Sequence, residues 1–140
     1  MVEVELERKN GDFLMEAIND KGNKILMDAG PEDGGQDGGF RPMQLLLAAL
    51  GGCSSIDVIA ILRKQREVLK DLKITITGEK QAGVAPSLFT KVHAHFKLYG
   101  AVNSERAEKA IALSINKYCS VAKTLEKTAV VSYSFEIIPD

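Results

Sequence analysis

Two sulfur atoms are the most reactive groups in this chain. Cys53 lies inside the longest apolar run, residues 41–66 (RPMQLLLAALGGCSSIDVIAILRKQR), and Cys119 follows Lys117-Tyr118. A cysteine in an apolar helix often behaves as a small hydrophobe. Burial there raises the thiol pKa, so reactivity requires a cation or a helix terminus beside the sulfur. Arg41, at the entrance to the run, and Arg8, on the first strand, are the candidate cations. Asp57, four residues after Cys53, shares its helical face; as an anion it suits an Arg or Lys partner better than a thiolate. Cys119 falls at a break between helical segments, where Ser120, Val121 and Ala122 can offer N–H groups. If the two sulfurs meet, the chemistry is a sulfenic acid on one, closed to a disulfide by the other. If they do not, both thiols are packing residues.

Other chemistry has less support. His93 and His95 are two apart on a strand and share a face, the arrangement of paired imidazole ligands. Lys91 and Lys97 share that face too, which suggests solvent, and no third ligand is near in sequence. The cysteine spacing forms no metal motif and no disulfide framework, so neither metal nor cofactor is expected. The glycine-rich residues 29–40 lack the lysine and strand context of a phosphate loop, and the basic cluster of residues 63–66 reads as a solvated helix end.

The elements that must position these groups follow from periodicity. Val2, Val4 and Leu6 alternate with glutamates as a half-buried strand. Asn10-Gly11 signals a hairpin, residues 13–18 a second strand, and residues 24–28 a third after a polar turn. Residues 29–40 (AGPEDGGQDGGF) read as a flexible loop that either borders a site or merely connects. Pro42 suits the first position of a helix, and the uniformly apolar stretch after it reads as a core helix rather than a membrane span, because of Asp57 and its charged tail. Gly51-Gly52 signals close approach of another backbone, a kink beside Cys53, or simple tight packing. Leu72, Ile74 and Ile76 mark a fourth strand, residues 88–99 a fifth, and Asn103 or Ser104 caps a helix with the stripe Ala107, Ile111, Ile115, Tyr118. Residues 120–128 add a short helical segment. Residues 129–138 add a last strand, with Val131, Tyr133, Phe135 and Ile137 on one face. The order is α+β with mainly antiparallel sheets.

At 140 residues the chain reads as a single domain, 1–140. A net charge of −1 gives no field to recruit nucleic acid or an anionic membrane. With no signal-like N-terminus and reduced thiols, a cytoplasmic location is expected. One sheet covers only one face of so apolar a helix, so a homodimer with an extensive apolar interface is expected.

The stretch from Pro42 through Leu45-Leu46-Leu47 to Gly51-Gly52-Cys53-Ser54 resembles the cysteine-bearing helix of the OsmC/Ohr family (osmotically inducible protein C and organic hydroperoxide resistance protein). Lys117-Tyr118-Cys119-Ser120-Val121-Ala122-Lys123-Thr124-Leu125 resembles its second cysteine motif, and Leu88-Phe89-Thr90 with His95-Phe96 its central strand. The resemblance implies an intertwined α+β homodimer with long helices buried centrally and sites at the subunit boundary. It implies thiol-dependent reduction of small organic hydroperoxides, Cys53 peroxidatic and Cys119 resolving, with Arg41 a candidate activator and an external thiol reductant. Family peroxidases carry a glutamate directly after the helix-initial proline; Met43 stands there in this chain, with Gln44 beside it, as in an OsmC-like branch that keeps both cysteines. The alternatives are binding of an apolar ligand without catalysis, or a cysteine-pair redox sensor.

Overall fold

In a computed structural model, which describes residues 1–139, the chain forms two compact units, Met1–Leu46 and Leu47–Asp140. The alternating N-terminal residues build strands β1 (Val4–Arg8), β2 (Met15–Asn19) and β3 (Lys24–Met27), paired antiparallel in the order β1-β2-β3. The β1–β2 turn is tied by Asn10, whose side chain accepts the N–H groups of Asp12 and Leu14. Gly11 takes the left-handed conformation, φ 72°, that a side chain resists. The first unit contributes little core of its own: Ala17 is its only buried apolar side chain, while Val4, Leu6, Phe13, Ile25 and Phe40 are exposed.

The loop expected to be flexible is instead organised around one carboxylate. Asp28 is 3% exposed and accepts the N–H groups of Ala29, Gln36 and Gly38. The Asp28 and Phe40 backbones bond across to Phe40 and Leu26, closing the loop at its base. The Gly38 N–H holds the Asp28 carboxyl below its usual pKa of 3.8; burial opposes this, and the Gln36 and Ala29 N–H groups add to it. A depressed folded pKa means the contribution is complete above 3.8 and is lost as pH falls through the lower folded value. The loop is therefore expected to open on acidification below the ordinary carboxylate range. Asp28→Asn should open it already at neutral pH, read as faster amide exchange at Gln36 and Gly38; unchanged protection in that variant would refute this role.

Helix α1 (Pro42–Lys64) starts where Pro42 predicts, and Gln44 accepts the Arg41 N–H at 3.0 Å, one half of a capping box. Only one stripe of α1 is fully buried: Leu50, Ser54, Val58 and Leu62. Leu46 and Ile56, 40% and 69% exposed, face outward. In a single chain the expected core helix is thus covered on one side only. By length and composition alone it is apolar enough to cross a bilayer.

The second sheet is β4 (Asp71–Lys80), β5 (Phe89–Tyr99) and β6 (Val130–Ile138), in that order. β4 and β5 are antiparallel, whereas β6 lies parallel to β5, as a helical crossover between them requires. Val92, Ala94, Phe96 and Leu98 form the buried face of β5 and, with Leu50, Val58 and Leu62, much of the core. The crossover is α2 (Ser104–Leu113), a π-helical turn (Ser114–Tyr118) and α3 (Ser120–Leu125). Asn103 caps α2 by accepting the Arg106 N–H. The expected stripe is buried at Ala107, Ile111 and Ile115 but not at Tyr118, which is 53% exposed. The wider π turn, whose Cys119 N–H reaches back five residues to the Ser114 carbonyl, rotates Tyr118 outward and leaves Cys119 fully buried.

Candidate functional site

Cys53 and Asp57 stand one turn apart on the same face of α1, because side chains at i and i+4 stack along a helix. The π turn brings Cys119 to them from the other side of the crossover. The two Sγ atoms and an Asp57 carboxylate oxygen all lie within 4.8 Å of one another. Both cysteines are free thiols, Cys53 half-buried and Cys119 fully buried. The Ser114 hydroxyl, also from the π turn, donates to Asp57 Oδ2 at 2.9 Å and orients that carboxylate. Asp57 is therefore paired with a serine of the crossover, not with the base its charge suggested.

The two thiols are not equivalent. Burial raises the Cys119 pKa to about 11, against the lowering effect of the Ala122 N–H, and the adjacent Cys53 adds to the rise. Cys119 is the N-cap of α3, its Sγ accepting the Ala122 N–H at 3.4 Å. At neutral pH it is a protonated thiol held against a backbone donor. Cys53 is the less buried residue of the two.

Arg41 belongs to the first unit. Its guanidinium meets Glu32 at 2.9 Å and Asp37 at 3.4 Å, both from the acid-bearing loop. The pairs are exposed enough that each contributes under about 1 kcal/mol to stability. Arg8 lies at the end of β1, exposed.

The histidines are engaged elsewhere. His93 meets Ser132 and Ser134, each at 2.7 Å, and His95 meets Ser134 at 2.7 Å and Glu136 at 3.6 Å. Parallel pairing of β6 with β5 sets this ladder, His93 opposite Ser132 and His95 opposite Ser134. Sequence reasoning missed Ser114 and the Glu32–Asp37 clamp. The clamp was visible only as acidity in a glycine-rich loop, and Ser114 left no local signal.

Along the groove between α1 and β4, Gly51, Gly52, Ser55 and Ile59 face Leu72 and Ile74 across a volume of about 560 Å³. A side chain added at Gly52 would meet nothing within 4 Å, so space for a neighbour is open there.

Residues 34–134 match the sequence profile of the OsmC-like protein family. The chain is 40% identical over 127 residues to protein YhfA of Escherichia coli K12, covering 90% of each. It is similar in structure to a protein of Aquifex aeolicus VF5, at 29% identity with a TM-score of 0.81, covering 98% of this chain and 97% of that one. The fold is shared as well with the organic hydroperoxide resistance protein OhrB of Bacillus subtilis, at 13% identity with a TM-score of 0.67, covering 97% and 98%. The apolar helix α1 lies within the matched residues and is the core helix of this fold.

Proposed function

The chain belongs to the OsmC-like protein family, and from that premise we propose that it reduces small organic hydroperoxides with the Cys53–Cys119 pair. The observation that carries the reading is the approach of the two sulfurs to within 4.8 Å, one half-exposed and one buried. Cys53, which a substrate can reach, attacks the terminal peroxide oxygen as a thiolate. The O–O bond breaks, the alkoxide takes a proton and leaves as the alcohol, and Cys53 becomes a sulfenic acid. Cys119 then attacks the Cys53 sulfur, water leaves, and the disulfide forms. An external dithiol returns both sulfurs to thiols. The family includes cysteine-based hydroperoxide reductases, which supports the reading.

A homodimer of 1–140 domains is part of this proposal. Three observations favour it: the uncovered apolar residues of α1, the near absence of a core in the first unit, and the open side of Gly52. In this reading Arg41, which pairs with Glu32 and Asp37, stabilises the Cys53 thiolate of a second copy of the chain. The protein works in the cytoplasm with a thiol reductant, and needs no nucleic acid or membrane.

The proposal is tested by adding cumene hydroperoxide to the reduced protein and following thiols and disulfide by rapid quench. Two thiols per chain should disappear. The second step should quicken with pH, about tenfold per unit well below 11, because the Cys119 thiolate is its nucleophile. Thiols that survive stoichiometric hydroperoxide would refute the reading.

A further inference from the structure

We propose that the reduced pair, together with Asp57, forms a zinc site. The spacing of the cysteines along the chain gives no hint of it; the π turn creates it by placing Cys119 against one face of α1. Two sulfurs and a carboxylate oxygen within 4.8 Å of one another form a triangle of the size a single ion needs. Zinc bound at 2.3 Å to two thiolates in a tetrahedral array sets the sulfurs about 3.8 Å apart, so the sulfurs need to close by no more than about 1 Å. Two soft thiolates and one carboxylate select zinc over the hard cations magnesium and calcium.

The surroundings suit an ion as well as a disulfide. Ser114 donates to Oδ2 of Asp57, the kind of outer partner that orients a metal ligand. The Ala122 N–H points at the Cys119 sulfur and stabilises it as an anion. Three protein ligands leave a fourth position, on the solvent-accessible side of Cys53, for water or an added ligand. Binding is not a redox step: one zinc ion displaces the proton of each thiol, and two protons leave. Zinc and disulfide use the same sulfurs and exclude one another. Reduced protein holds the metal, and oxidation of the thiols releases it.

The inference depends on the ligand triangle and not on hydroperoxide turnover, so either can fail alone. The test uses reduced, metal-free, full-length protein titrated anaerobically with zinc chloride and, separately, with cobalt chloride. One zinc per chain is expected by equilibrium dialysis with elemental analysis, with both cysteines protected from iodoacetamide in intact-mass spectra and thiolate-to-cobalt charge-transfer absorption in the near ultraviolet. Ser114→Ala should weaken zinc about 10- to 100-fold, and Cys53→Ser, at the accessible position, should abolish stoichiometric binding. Diamide oxidation should release the zinc as the disulfide forms. Alkylation of the wild-type cysteines at the same rate with and without zinc would overturn the proposal, a readout that needs no variant to fold. So would undiminished binding by Cys53→Ser, which would place the ion elsewhere.

Discussion

Cys53→Ser is expected to lower hydroperoxide turnover by about a thousandfold or more while leaving the fold intact. Serine replaces the sulfur almost isosterically at a half-exposed position, so no cavity opens and little packing is lost. A hydroxyl has neither the acidity nor the nucleophilicity of a thiol, and removing a nucleophile collapses a mechanism whose parts act as a unit. Cys119→Ser should behave differently: Cys53 still reacts once, and its sulfenic acid then persists for want of a partner. Trapping with dimedone distinguishes the two, labelling Cys119→Ser strongly and Cys53→Ser not at all. Wild-type turnover by Cys53→Ser would remove that residue from the chemistry.

The second large effect is expected at Ile56. In the isolated chain this side chain is 69% exposed, and a change at an ordinary surface position moves stability by no more than about 0.5 kcal/mol. If α1 packs against a second copy, Ile56→Asp instead buries an unpaired carboxylate, which costs about 3 kcal/mol or more. That weakens the dimer at least about 100-fold, and sedimentation velocity should show monomer where the wild type is dimeric. Activity should fall with the dimer if Arg41 serves the neighbouring copy. Mixing inactive Arg41→Ala subunits with inactive Cys53→Ser subunits should then restore part of the turnover, since one site of each mixed dimer is whole. An Ile56→Asp protein with wild-type mass and activity would show that this face of α1 points to water.

Much of this arrangement was legible in the residues, because the signals were local. Alternation in Val4-Glu5-Leu6 and Leu72–Ile76, Pro42 at the head of α1 and Asn103 as a cap each report on their neighbours, and each element lies where they indicate. What escaped depended on contacts distant in sequence or on a change of helical pitch. A period of 3.6 placed Tyr118 on the buried stripe; the π turn moves it off and carries Cys119 inward instead. The Ser114–Asp57 bond joins groups 57 residues apart, so no window of sequence contains it. The glycines of residues 29–40 suggested freedom, yet one buried carboxylate, Asp28, collects three of the loop's N–H groups. The apolar character of α1 was plain, but a lone chain covers only one of its faces.

The most direct measurement is peptide mapping of the wild-type protein after one equivalent of cumene hydroperoxide, under non-reducing conditions. The account predicts a single species in which the peptides bearing Cys53 and Cys119 are joined within one chain, with two thiols lost. Recovery of both peptides unlinked, or of a cross-link only between chains, would contradict it.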